Sequence, residues 1–434
     1  MTADPFSAPS HGELFVPAAI RTLLSDERRV AEMVRMEVAL ARANAKCGVI
    51  PETAARTIEG TLGNFTPDFA DLGIGTGAAG VPVPALVAQL REAVGGSAAD
   101  YLHWGATSQD VLDTALVLIL RDLLDCLDDQ LAALIDSLAR LAHQQRSTVM
   151  LARTRMQQAV PTTFGVKVAG WRQPLLRSRD RLSQLRPRLL SVQLGGAAGT
   201  LAPWAGIGTE VRQALADELN LHVLTLPWHT QRDGLAEFAG WLSLVTGGLG
   251  TIGLNVGLLA QNEIGEVAET SEAGLGGSST LPQKCNPIHS EILVALARYN
   301  ASAIASMHQA LLHEGERSGA AWSLEWLTLP AMALAAGGAL AHARELITGL
   351  VVDAARMRQN LEATGGLCLA EAATFALAAH MPRAQAQALV GEACREAKAS
   401  GQRLVAVLER QTDAPVQWST VDDPEQYLGS AVAL

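Results

Sequence analysis

The chain has 434 residues, 49% of them apolar and only 4% aromatic, and a formal net charge of −11. That length exceeds one simple core, and abundant alanine and leucine with few aromatics favour close-packed helices over a β-sandwich. The acidic balance excludes a general nucleic-acid or anionic-membrane surface, which needs a basic face, so an anionic ligand must be held by local arginines and lysines.

Taken in chain order, residues 12–103 place apolar positions at helical spacing between breaks at Gly48, Pro51, Pro67 and Gly95. This predicts a series of short helices. From 111 to 145 leucines fall at 116, 120, 123, 127, 131, 134, 138 and 141, with aspartates and arginines on the other face. Steps of three and four over so many turns predict one long amphipathic helix of a bundle. A second long helix is expected over 161–185, kinked at Pro174. The third, over 232–269, includes a run at 238–262 with no charged residue, long enough to cross a bilayer. Its glycines (Gly240, Gly247, Gly248, Gly250, Gly253 and Gly257), with Ser243, Thr246, Thr251 and Asn255, instead fit a buried helix of a soluble protein approached closely by its neighbours. A helix apolar all round needs partners that one subunit does not supply, which points to an oligomer. Helices over 287–311 and 329–350 follow, then a set broken at Gly365, Gly366 and Gly401 and restarted at Pro382. The expected fold is all-α with three units: an N-terminal helical domain at 1–104, a central long-helix bundle at 105–350 and a C-terminal helical domain at 351–434.

Cys47, Cys126, Cys285, Cys368 and Cys394 are scattered without CxxC spacing, suggesting neither a disulfide framework nor a zinc site and fitting a reducing cytoplasm. The opening MTADPFSAPSHGELF has no basic stretch before an apolar core, so no signal peptide is expected. Gly75, Gly77 and Gly80 match GxGxxG, but no β-type run precedes them and Pro82 and Pro84 follow, which argues against a nucleotide loop.

Several polar segments fall at helix ends. In HWGATSQDVLDT (103–114), Thr107, Ser108 and Asp110 fit helix caps, and the hydroxyls with the helix N-terminal amides equally suit a carboxylate. ARTRMQQ (152–158) reads as a solvated helix flank and QLGGAAGTL (193–201) as a turn. WHTQRD (228–233) and HEGERSGAAWSLEW (313–326) each combine arginine, acid and tryptophan in a way a plain surface helix seldom needs. GGSSTLPQKCNP (276–287) packs glycines, serines, a lysine and an asparagine into one short stretch.

GSSTLPQKCNP resembles the GSSxMPxKxNP signature of the fumarase/aspartase superfamily, with Leu281 in place of the usual methionine. HWGATSQD, ARTRMQQ and GGAAGT resemble its other signature regions in order and spacing, over nearly the whole chain. LPWHTQRD and ERSGAAWSLEW are most similar to the lactonising, cycloisomerase branch, and the adenylosuccinate-cleaving branch is more distant.

The resemblance implies an enzyme that moves a proton beside a carboxylate while a group joins or leaves the β-carbon, through a carbanion delocalised into that carboxylate. It implies that Ser278 moves the proton, with Ser279 supporting the loop, and that Lys284, Asn286 and amides around Gly277 stabilise the developing charge; such donors each contribute about 3–4 kcal/mol. By the same resemblance Thr107, Ser108, Thr154, Gln157, Gln231, Arg232 and Arg317 bind the carboxylates of a small polycarboxylate substrate, the arginines through their planar forks. Arg155 stands where related lyases carry the histidine that assists an oxygen or nitrogen leaving group. A lactonising enzyme does not require that acid, because its leaving group is a stable carboxylate; Arg155 then contacts a substrate carboxylate, with His103 as a secondary acid. The resemblance implies a homotetramer with sites shared between subunits, and no metal, organic cofactor, nucleic acid or membrane partner.

Overall fold

In the computed structural model, which describes residues 4–270, 276–277 and 280–433, the leucine ladder falls on one helix, and seven of its eight leucines are buried, Leu116 being the half-buried exception. The N-terminal stretch holds α1 (Gly12–Phe15), α2 (Ala18–Leu23), α3 (Asp26–Lys46), α4 (Glu52–Leu62), α5 (Phe69–Ala79) and α6 (Val83–Val94). The ladder helix α7 (Ser108–Gln144) follows, then strands β1 (Val149–Thr154) and β2 (Gln157–Thr163), α8 (Phe164–Leu189), α9 (Gly208–Leu219) and α10 (Asp233–Leu259). Next come β3 (Val267–Ala268), α11 (Ile288–Gln309), α12 (Gly319–Thr348) and β4 (Val351–Val352), which pairs with β3. The chain closes on α13 (Ala354–Glu362), α14 (Ala370–Ala378), α15 (Arg383–Ser400), α16 (Leu404–Gln411) and α17 (Trp418–Val421). The all-α architecture is present, with only these short strands added among the described residues.

Three boundaries depart from the sequence pattern for physical reasons. Helix α8 starts at Phe164, because residues 157–163 are engaged as a strand against β1, and it runs unbroken through Pro174. Helix α10 stops at Leu259, ten residues early: Gly265 takes φ 64°, and Glu266 N–H turns back to the Leu259 carbonyl at 2.9 Å. Helix α12 begins at Gly319, capped by Ser318, whose Oγ accepts from Ala321 N at 3.2 Å, and it continues through Pro330. Gly75 and Gly77 lie inside α5, and Gly80 ends it with φ 75°, the left-handed position that suits glycine at a helix C-terminus.

The chain divides into two compact units, and the division falls inside each of the five long helices α7, α8, α10, α11 and α12. The first comprises Met1–Leu131, Ser178–Gly247 and Leu296–Ala341. Its core joins Met33, Met36 and Leu40 of α3 with Ile58, Leu86, Leu118 and Leu215. The second comprises Ala132–Arg177, Gly248–Ala295 and His342–Leu434. It has one apolar cluster around Leu377, Val390 and Leu408, and another where Leu151 of β1 meets Leu361 and Leu369. Helices α10 and α12 are long and apolar enough to cross a membrane by length and composition. Their apolar windows are 50% and 61% buried within the chain, so much of each remains uncovered by it.

Candidate active site

In the first unit the start of α7 is the organising feature. Thr107 caps the helix, its carbonyl taking Asp110 N–H at 2.9 Å, while Asp110 Oδ2 accepts Thr107 N–H at 3.0 Å. This reciprocal arrangement satisfies donors that a helix end leaves open. Gly105 leads in with φ 77°, and a Cβ there would lie 2.5 Å from the Trp204 ring, so both conformation and space demand glycine. Trp204 is itself fixed by donating from Nε1 to Asn44 Oδ1 at 2.7 Å.

Asp110 is fully buried and accepts more than the cap bond. Gly195 N and Gly196 N of the GGAAG loop donate to its two oxygens at 2.9 Å each, and His229 Nε2 bonds Oδ1 at 2.8 Å. Gln109, also fully buried, donates to the His229 carbonyl at 2.9 Å and accepts from Arg317 Nε at 3.0 Å. Arg317 further donates to Thr107 Oγ1 and to the Ala197 carbonyl, each at 3.1 Å. HWGATSQD, GGAAG, WHTQRD and ERSG are thereby tied into one hydrogen-bonded ring. A guanidinium has five N–H donors; three are engaged here, one on each nitrogen, so each terminal nitrogen of half-buried Arg317 keeps one for a ligand.

Arg232 is placed differently. It is 2% exposed, donates from Nη1 and Nη2 to Asp113 at 2.6 and 3.0 Å, and from Nε and Nη2 to Glu325 at 2.8 and 2.5 Å. The Trp228 ring covers it at 4.8 Å. Burial works against its charge, but the two carboxylates outweigh burial and hold its pKa above the ordinary value. Four of its five donors are thus committed inside the protein. Gln231 next to it is exposed and lines a cavity of about 340 Å³ with Arg188, Leu224, Trp228 and Asp233. Ser108 is half-buried as the first residue of α7.

His103 sits in the left-handed region at φ 61°, its Nδ1 2.6 Å from Oε1 of Glu37, which is 1% exposed. Burial lowers the imidazole pKa, yet the Glu37 carboxylate beside it dominates and raises it above the usual value.

In the second unit, ARTRMQQ is a hairpin, not a helix flank. Thr154 pairs with Gln157, and the two tip residues Arg155 and Met156 adopt φ 50° and 64°, the geometry of a type I′ turn. Its base is anchored by Arg153, which donates to both oxygens of fully buried Glu266 at 2.8 and 2.7 Å, joined by Asn360 at 2.8 Å. Thr154, Arg155 and Gln157 are exposed. In the signature segment, Gly277 bridges Cys285 antiparallel and Asn286 N–H donates to the Gly276 carbonyl at 2.8 Å. Gly276 has φ 69°, and a Cβ on it would collide with the Asn286 carbonyl oxygen. This doubled-back path leaves Lys284 exposed and Asn286 half-buried just before α11. The start of α11 is capped by Glu269, which accepts from His289 N and Ser290 N at 3.1 and 2.9 Å. Ser278 and Ser279 lie outside the described residues.

Sequence reasoning read Asp110 only as a cap and did not single out Gln109, Asp113, His229, Glu325 or Glu37. Thr107-x-x-Asp110 carries a capping-box spacing, and Asp110 and Asp113, three apart on one helix, share a face. The partners 119 and 93 residues distant leave no such mark. Among the described residues no three His, Cys, Asp or Glu side chains converge as metal ligands would.

The long helices, with the polar segments of the first unit gathered around Arg317, fit a lyase-type enzyme. A family model described as "Lyase" matches residues 19–299, and the chain belongs to this family, the fumarase/aspartase superfamily. It is 44% identical to the 3-carboxy-cis,cis-muconate cycloisomerase of Pseudomonas aeruginosa, over 96% of this chain and 93% of that protein. The crystal structure of the 3-carboxy-cis,cis-muconate lactonizing enzyme from Pseudomonas putida superposes with a TM-score of 0.91 at 40% identity, covering 97% of this chain and 96% of that one. The fumarate lyase from Mesorhizobium sp. BNC1 gives a TM-score of 0.91 at 38% identity, covering 96% of each chain.

Proposed function

We propose that the chain is a cycloisomerase that interconverts 3-carboxy-cis,cis-muconate and its carboxymuconolactone in the breakdown of aromatic acids. The observation that carries this reading is Arg155 at the hairpin tip, a cation where related lyases place a proton-donating histidine. Lactone opening expels a carboxylate, which is a stable anion near neutral pH and asks for no such acid.

In the lactonising direction one substrate carboxylate oxygen adds to the conjugated double bond. The electron pair moves onto the carbon beside a second carboxylate, and Ser278 delivers a proton to that carbon. The serine is reprotonated from solvent, so a trianion becomes a dianionic lactone with uptake of one proton. The nucleophile is tethered to its target, so positioning supplies much of the acceleration. Lys284 and Asn286 stabilise the doubly charged intermediate, and Arg317, Thr107, Ser108, Thr154, Arg155, Gln157 and Gln231 hold carboxylates. Arg232 enters through the shape it gives the WHTQRD segment. The protein is soluble and cytoplasmic in this reading. It is a homotetramer, and the uncovered faces of α10 and α12 in the central 105–350 segment pack against other subunits.

Loss of the substrate's diene ultraviolet absorbance tests the proposal, with proton uptake followed in weak buffer and adenylosuccinate run in parallel. Rapid loss with the muconate, one proton per turnover and none of this in Ser278→Ala is the expected result. Fumarate release from adenylosuccinate, or full activity in Ser278→Ala, would overturn it.

A further inference from the structure

We propose that Asp110 is the positioning residue that aims Arg317, the guanidinium assigned above to a substrate carboxylate; the inference rests on that assignment. A helix cap uses one acceptor bond, and Asp110 makes that bond to Thr107 N–H. Its other four partners, Gln193 Nε2 at 3.5 Å, Gly195 N, Gly196 N and His229 Nε2, come from segments 83, 85, 86 and 119 residues away. Local helix formation does not account for them.

What they have in common is Arg317. Each of its three acceptors belongs to a segment that Asp110 fixes. Thr107 offers Oγ1 to Arg317 Nη1 while its own N–H is held on Asp110 Oδ2. The Ala197 carbonyl, which accepts from Nη2, follows directly on Gly196, whose N–H is on the same oxygen. Gln109, which accepts from Nε, is oriented by donating to the carbonyl of His229, the residue whose ring is bonded to Asp110 Oδ1. With one amide hydrogen given to that carbonyl, the Gln109 side chain has a single orientation, oxygen toward Arg317.

A carboxylate suits this position: Oδ1 faces Gly195 N, His229 Nε2 and, at 3.5 Å, Gln193 Nε2, and Oδ2 faces Thr107 N and Gly196 N, whereas a carboxamide of the same size turns an NH₂ toward two or more of these groups. The site is also closed to displacement of its neighbours: a Cβ on Gly195 would lie 2.8 Å from His229 Cε1, and one on Gly196 3.1 Å from the Gly105 carbonyl. A shift at Asp110 therefore moves the GGAAG loop, and with it an acceptor of Arg317.

The test is a double-mutant cycle on the full chain, with kcat and KM measured for 3-carboxy-cis,cis-muconate in wild type, Asp110→Asn, Arg317→Ala and the double variant. Asp110→Asn is expected to raise KM by about tenfold or more with a smaller fall in kcat, the signature of lost substrate binding. In the Arg317→Ala background it should add less than about twofold, since its target is gone. An equal factor in both backgrounds, or a fall in kcat with KM unchanged, would overturn the inference. If Asp110→Asn does not fold, Gln109→Leu removes the Nε acceptor alone. It should raise KM in wild type and be silent beside Arg317→Ala, and additivity there overturns the inference equally. A wild-type chain that leaves the muconate untouched counts against the proposed function instead. The same cycle is then read from calorimetric binding of propane-1,2,3-tricarboxylate, where coupling supports the positioning role, and additivity or absence of binding overturns it.

Discussion

Arg317 and Arg155, both assigned above to substrate carboxylates by proposal, are built in opposite ways. Around Arg317 the protein supplies an acceptor to each nitrogen, and those acceptors are held by buried Asp110 and Gln109. Arg155 stands exposed at the end of a two-residue turn, and the hairpin is anchored at its base by Arg153, Glu266 and Asn360. The same contrast separates buried Arg232, between Asp113 and Glu325, from exposed Lys284. The difference teaches that in the first unit polar side chains act through fixed geometry, while in the second they are presented outward on anchored loops. Substitutions in the first should therefore alter stability and aim together, and removal of a charge from the exposed loops of the second should alter turnover with no loss of stability.

The largest expected effect is at Arg232. Arg232→Met leaves two carboxylates buried without their cation and should destabilise the fold by about 3–5 kcal/mol, read from urea unfolding. A loss under about 1 kcal/mol would break the contrast, since exposed ion pairs lose only that much. Next is Lys284→Met, expected to lower kcat by about 10²–10³-fold by removing one donor to the developing charge. Its urea midpoint should stay at the wild-type value because the side chain is exposed.

The His103–Glu37 pair sharpens the comparison through pH. The folded-state pKa of His103 is raised, so the pair's stabilisation is fully present below the ordinary imidazole value of 6.5 and is lost as pH rises through the raised one. One titrating group limits that loss to about 1.4 kcal/mol per pH unit. Unfolding midpoints measured across neutral pH should show the decline in wild type and a flatter profile in Glu37→Gln. The smallest effect is a gain. Replacing Arg155-Met156 by Asn-Gly suits a type I′ turn and should stabilise the chain by about 1 kcal/mol, because bulky residues are disfavoured in the left-handed region. The same variant should lose activity, and unchanged turnover would remove Arg155 from the substrate's contacts.

The long helices were legible because a leucine every three or four residues has one physical reading. The hairpin was not: VMLART lacks alternation, and its tip carries neither the asparagine nor the glycine that normally announces a type I′ turn. The start of α12 was hidden by Pro330, which reads as a helix beginning, whereas Ser318 is the true cap. In the site, sequence put Arg232 and Arg317 on equal terms, each near acids and a tryptophan. Burial and the partners at 113 and 325 distinguish them, and neither is encoded locally. Asp110 was visible as a cap, but its longer-range donors exist only once the loops at 195–196 and 229 have folded back on it.

The exposed hairpin tip has an evolutionary consequence. Met156 is 73% exposed and Arg155 is exposed beside it, so neither occupies the core. A point mutation there exchanges charge, length or hydrogen-bonding capacity while the anchored base keeps its place. Under the proposed assignment of Arg155 to a substrate carboxylate, drift at these two codons is a short route from one polycarboxylate to another, and a library confined to positions 155 and 156 tests substrate range while sparing the scaffold.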